Sequence, residues 1–189
     1  MAILYKGAGP GSHWWTYDPR LTGLFTQPIA LPSAASAVRH ITAFSHPSPY
    51  LSLSASFAVA RQYALDGPKG PATQSAPGYV WQVDTAIGGD VVALTDPVAL
   101  IAAAVGPAAG LPRLPTHHDG EQSLILGVAS PSLHLAELNR IPHRPGTMAV
   151  PAGPMVTPEF QALVFALRDA EVLADRIPAA CVVHRHDVF

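Results

Sequence analysis

Two groups of residues have types and spacings that suit chemistry. In Tyr50-Leu51-Ser52-Leu53-Ser54 the hydroxyls alternate with leucines. Side chains alternate along a strand, so Ser52 and Ser54 share a polar face while Leu51 and Leu53 share an apolar one. In His117-His118-Asp119-Gly120-Glu121 a loop carrying acids runs into the apolar Leu124-Ile125-Leu126. Asp119 and Glu121 stand two apart and can face one volume at the mouth of a sheet. Three readings of that loop compete. As a metal site, His117, His118 and Asp119 have suitable donors, but adjacent histidines lack ligand spacing and no third cluster accompanies them. As a solvated loop, it needs no further role. As a catalytic pair, Glu121 would stabilise developing positive charge while Asp119 positions an acceptor.

These residues need a frame, and the periodicities supply one. Ala2–Tyr5 reads as a first strand, followed by the turn Lys6–Ser12. That turn does not open a helix and lacks a phosphate-loop pattern. Trp14 and Trp15 read as packing over the core edge, with stacking on a ligand as the competing role. Ser33–Ile41 is a short helix with Ser33 as N-cap. The strand Tyr50–Ser54 breaks into the helix Phe57–Leu65, which Ser54 or Ser56 caps and which offers a narrow face of Phe57, Ala60, Arg61 and Ala64. A polar loop, 66–78, leads to the strand Tyr79–Asp84. After it come a strand Val91–Leu94 and a helix Val98–Val105, apolar all round and hence expected to be buried. Leu133–Ile141 is another strand or turn. Thr157-Pro158-Glu159 opens a helix expected to run from Pro158 to Asp175 on the stripe Phe160, Leu163, Val164, Leu167, Ala170. Ala180–Phe189 closes the chain as a strand, with His184 and His186 on one face and in solvent.

Composition limits the alternatives. At 189 residues the chain suits one domain with a real core. A charged fraction of 13% and a net charge of −2 give no general attraction to nucleic acid or anionic membrane. The single cysteine, Cys181, cannot form an internal disulfide and reads as a buried thiol. The 20 prolines and 15 glycines fall mostly between the periodic segments, which predicts long ordered loops. No stretch is long and apolar enough to span a bilayer, and no charged leader precedes the first strand. The expected location is therefore the producer's cytoplasm, or delivery by a specialised secretion system.

Tyr50–Ser54 followed by an alanine-rich helix resembles the Tyr-Val-Ser-Thr-Ser segment of ADP-ribosyltransferase toxins of the cholera and heat-labile enterotoxin type. Glu121-Gln122-Ser123-Leu124-Ile125-Leu126-Gly127-Val128 is similar to that family's catalytic glutamate and following strand, Glu-Val-Ser-Ala-Leu-Gly-Gly-Ile, and Asp119 falls on the first member of its Glu/Gln-x-Glu pair. Leu4-Tyr5-Lys6 stands where the family has Leu-Tyr-Arg, and Gly23-Leu24 matches a Gly-Leu pair that follows. His40, twelve positions before Ser52, matches an upstream histidine, against the reading of a surface histidine at a helix end.

The resemblance implies a mixed α/β (α+β) ADP-ribosyltransferase fold, with two packed sheets around an NAD cleft, short flanking helices and an added C-terminal helix. It implies a single domain over 1–189, with the likeness in 1–141 and an extension of loop, helix and strand in 142–189. It further implies NAD as co-substrate, no metal, and transfer of ADP-ribose to a target protein or other macromolecule by a toxin or effector module. A nucleic-acid acceptor and an immunity or delivery partner belong to the same expectation; a membrane partner does not. Glu121 would act at the ribose 2′-hydroxyl, Ser52 would orient Glu121, and Ser54 would support the nicotinamide pocket. Tyr5, Lys6 and His40 would line the NAD site. Lys6 keeps the charge of the family's arginine but not its planar fork, with Arg39 as a possible helper, and Asp119 is shorter than Glu or Gln. The alternatives are an NAD glycohydrolase and a catalytically silent binding module on the same fold.

Overall fold

Alternation along Ile3–Ala8 (β1) puts Leu4 and Ala8 on one face of the chain's first strand. The computed structural model describes residues 3–26, 31–43, 47–105, 116–119, 122–125 and 158–189. The helix Ala34–Ala43 (α1) precedes Leu51–Ser54 (β2) and Phe57–Ala64 (α2). Gly78–Asp84 (β3), Leu94–Thr95 (β4) and Pro97–Val105 (α3) follow. Pro158–Arg168 (α4), Glu171–Ala174 (β5) and Val182–Val188 (β6) complete the frame.

The six strands form one antiparallel sheet in the order β6-β3-β1-β2-β5-β4. Its pairing is uneven, and the unevenness matters for the site. β1 pairs with β3 along its whole length, from Ile3↔Asp84 to Ala8↔Tyr79. β5 pairs with β2 from Glu171↔Ser54 to Ala174↔Leu51. Between these halves β1 and β2 meet at one register pair, Tyr5↔Ser54. The seam there lacks the continuous ladder by which β1 pairs with β3 and β2 with β5.

One face packs Leu4, Leu51, Leu53, Trp81, Val83 and Ala174 against Leu24, Ile177 and Cys181. On the other, Leu173 is buried among α1, α3 and α4 through Ala37, Ile41, Ile101 and Phe165. Helix α2 lies over β1 and β3 through Ala60 and Ala64. Two glycines allow that approach. A Cβ at Gly7 would come within 2.1 Å of the Ala60 carbonyl oxygen, and one at Gly78 within 1.8 Å of that of Ala64. The narrow alanine face expected of α2 thus meets strand positions that have no side chain.

Several expectations change. The fold is mixed α/β, and among the described residues its main sheet has two halves bridged at Tyr5↔Ser54, with smaller two-stranded ladders beside it, one of them Leu24–Phe25 with Arg176–Ile177. The segment after 142 supplies β5 and β6, so it completes the sheet, and Leu163, Phe165 and Ala166 of α4 sit in the core. The helix expected from Pro158 to Asp175 stops at Arg168: Ala170 takes a left-handed backbone at φ 45° and the chain re-emerges as β5. The α3 surface is not buried all round, since Ala99, Ala103 and Ala104 are exposed. Where a strand Val91–Leu94 was expected, Gly89–Val91 forms a 3₁₀ turn and only Leu94–Thr95 pairs. Loop 66–78 contains a small ladder of Asp66–Gly67 with Gly70–Pro71. Leu133–Ile141 lies outside the described residues. Among the described residues no helix is long and apolar enough to cross a membrane.

Candidate active site

Strand β2 carries its two hydroxyls to the seam. The Ser52 hydroxyl donates to Glu171 Oε1 at 2.5 Å, and His40 Nε2 stands 2.7 Å from the same serine oxygen. A serine has one hydroxyl proton; once that is given to the carboxylate, the imidazole must donate to Ser52. His40 therefore carries a proton on Nε2, and a chain of two donated hydrogen bonds ends on the carboxylate. Charge-assisted bonds of this kind are short and orient their acceptor firmly. His40 comes from the buried face of α1, beside Ala37, Val38 and Ile41. Ser33 Oγ accepts from the Ser36 amide at 3.1 Å and caps that helix as expected.

Glu171 owes its place to a turn that is fastened at several points. The Ser54 hydroxyl donates to the Asp169 carbonyl at 2.7 Å, and the Ala55 amide to the Ala170 carbonyl at 2.9 Å. The Tyr63 hydroxyl donates to Asp169 Oδ2 at 2.6 Å. Together these hold a left-handed alanine, a conformation that costs an L-residue roughly 1–2 kcal/mol, and start β5 with Glu171 opposite Ser54. Ser54 Oγ also accepts from the Ser56 amide at 3.0 Å, while Ser56 Oγ caps α2 by accepting from the Val59 amide at 3.3 Å. The two serines thus divide the work: Ser56 is the helix cap and Ser54 anchors the glutamate's turn.

Lys6 follows Tyr5 on β1 and is partly buried. Burial pushes its ammonium down from 10.5 to about 8, while the negative charge of Glu171 pulls it back up. Tyr5 pairs with Ser54 and packs edge-on against Phe57 with ring centres 5.5 Å apart. A cavity of about 1320 Å³ is lined by Lys6, His40, Ser52, Ser54, Asp169 and Glu171, with Tyr5 beside them. Its aromatic rim includes Trp14 and Phe25, in edge-to-face contact at 5.5 Å.

Of the residues the sequence singled out, Tyr5, Lys6, His40, Ser52 and Ser54 come together around this cavity. His40 is buried, against the surface reading. The carboxylate on Ser52 is Glu171; Glu121 lies outside the described residues. Asp119 ends the strand Thr116–Asp119, which pairs with Gln122–Ile125 in a two-stranded ladder separate from the main sheet. Arg39 is exposed on α1 and does not line the cavity. His184 and His186 touch on β6 with ring centres 4.4 Å apart, and His186 Nε2 is 3.2 Å from Gln82 Oε1. Among the described residues no group of three or more His, Cys, Asp or Glu is arranged to hold a metal ion. Trp15 stacks on Tyr79 at 5.8 Å and donates to the Pro77 carbonyl at 2.7 Å, so it packs over the core edge. Cys181 is buried, where desolvation raises its thiol pKa.

Glu171 and Asp169 are the residues that sequence reasoning missed, although a signal was present. Asp169-Ala170-Glu171-Val172-Leu173-Ala174 repeats the acid-x-acid spacing of Asp119 and Glu121. It also has Val and Ala where the pattern Glu-Val-Ser-Ala has them. Assigning 158–175 to one helix hid it, because a helix through Glu171 sets its side chain in a different row from any strand. No family model, curated protein or solved structure matches the chain.

Proposed function

We propose that the chain is an NAD-dependent ADP-ribosyltransferase-type enzyme, with the corresponding fold, and that it breaks the bond between nicotinamide and ribose at the β1/β2 seam. The observation that carries this reading is the Ser52–Glu171 hydrogen bond in a cavity that Lys6 and His40 also line. Two further points support it. Two segments of the family likeness, Leu4–Lys6 and Tyr50–Ser54, fall on the neighbouring strands β1 and β2, and Glu171 stands on β5 beside β2. At about 1320 Å³ the cavity exceeds that of an ordinary small-molecule site and is large enough for a dinucleotide.

The chemistry follows from the residue types. Departure of nicotinamide leaves positive charge on the ribose ring, so a carboxylate beside that ring stabilises the transition state more than the ground state. Glu171 takes this role, accepting from the ribose 2′-hydroxyl while Ser52 and His40 keep its carboxylate from turning. Protonated Lys6 offers a point charge to the pyrophosphate. Ser54 acts indirectly, by fastening the turn that presents Glu171. In this reading the chain serves as a toxin or effector module that consumes NAD.

The test is nicotinamide release from NAD by the full chain and by Glu171→Gln. Loss of one preorganised electrostatic partner predicts a fall of about 10²–10³-fold in kcat. A parallel Glu121→Gln variant decides between the two glutamates. Loss confined to Glu171→Gln supports this site, and loss confined to Glu121→Gln overturns it.

A further inference from the structure

Among the described residues three carboxylates and one ammonium line the cavity, and each carboxylate has a partner. Glu171 is held by Ser52, and Asp66 Oδ1 accepts from the Gly67 amide at 3.0 Å. Asp169 is only 7% exposed and accepts the Tyr63 hydroxyl at 2.6 Å, with its carbonyl taken by Ser54. A guanidinium or ammonium acceptor entering beside Glu171 must shed its water. It recovers that cost only from a carboxylate that can pair with it closely, best in bidentate fashion. Asp169 is the acid adjoining Glu171, and the phenol of α2 takes its Oδ2, leaving no free pair of oxygens for a bidentate contact. Lys6, at the same cavity, adds repulsion toward any cation. Water needs no counter-charge.

We propose that Tyr63 sets acceptor choice by withholding the Asp169 carboxylate, so that water takes the ADP-ribosyl group and the chain acts as an NAD glycohydrolase. This rests on the NAD-cleaving reading above. In the step, the bond from the ribose anomeric carbon to the nicotinamide nitrogen breaks and neutral nicotinamide leaves with the electron pair. The oxygen of one water bonds to that carbon, and the water's surplus proton passes to solvent. The products are nicotinamide, ADP-ribose and a proton. Tyr63 is a positioning residue in this scheme, since it acts through Asp169.

The experiment follows both fates of the sugar in one tube: NAD, the full chain and excess agmatine as a guanidino probe, with nicotinamide, ADP-ribose and ADP-ribosyl-agmatine quantified by chromatography and mass spectrometry. The natural chain should give ADP-ribose in a one-to-one ratio with nicotinamide. Tyr63→Phe keeps the ring and removes the hydroxyl. It should raise the ratio of agmatine adduct to ADP-ribose about tenfold or more, and adding Asp169→Asn should abolish the gain. The ratio does not depend on how much of a variant folds. Agmatine adduct as the main product of the natural chain, or an unchanged ratio in Tyr63→Phe, overturns the proposal. Absence of any nicotinamide release removes the NAD-cleaving reading and this proposal with it, an outcome distinct from release with the wrong partition.

Discussion

Raising the pH from 7 to 9 should switch off substrate capture through Lys6, and the size of the effect follows from its surroundings. Burial holds the ammonium at about 8 even with Glu171 alongside. A group with that pKa is about nine-tenths protonated at pH 7 and about one-tenth protonated at pH 9. If the pyrophosphate requires the charged form, apparent affinity scales with the protonated fraction, and kcat/KM should fall about tenfold over this interval. The assay is the pH profile of kcat/KM for nicotinamide release, with Lys6→Arg as comparison. A guanidinium keeps its proton throughout the range, so that variant should lack the falling limb. Folding stability must move the other way. The unfolded side chain, at 10.5, binds a proton that the folded one, at about 8, releases. Lys6 therefore makes stability rise between pH 8 and 10.5, and the rise should vanish in urea melts of Lys6→Met. A flat kcat/KM profile through pH 8–9, or the same falling limb in Lys6→Arg, would refute the assignment of that limb to Lys6.

Other outcomes are expected from the same geometry. Ser52→Ala removes the donor to Glu171 and the acceptor of His40; with hydrogen bonds to charged groups worth ~1.5–3 kcal/mol, kcat should fall roughly 10–100-fold, read as nicotinamide release. Ala170→Gly relieves a left-handed backbone at φ 45°, offset by the extra chain entropy of glycine. Its melting free energy should stay level or rise by up to ~1 kcal/mol, whereas Ala60→Gly inside α2 should lose ~1 kcal/mol or more. A clear destabilisation by Ala170→Gly would show that this conformation carries no strain.

Several local elements, and Tyr5, Lys6, His40, Ser52 and Ser54 of the candidate site, were legible in the sequence. Alternation along Leu51–Ser54 separated hydroxyls from leucines, Ser56 and Ser33 announced helix starts, and the order of Leu4-Tyr5-Lys6 and Tyr50–Ser54 marked the two strands that meet at the seam. Those features are legible because they depend on near neighbours in the chain. The identity of the carboxylate was decided by tertiary structure. Glu171 stands 119 positions from Ser52, and Asp169–Val172 has no local pattern that rules out continuing helix α4. What ends the helix is pairing of β5 between β2 and β4, together with Ser54, Ala55 and Tyr63 gripping the turn. Tertiary structure also sets the pKa of Lys6, which burial lowers and the charge of Glu171 partly restores, and neither influence can be read from its sequence neighbours. Sequence periodicity reports which face of an element is apolar, but not which strand will lie beside it, and here that neighbour selects the glutamate.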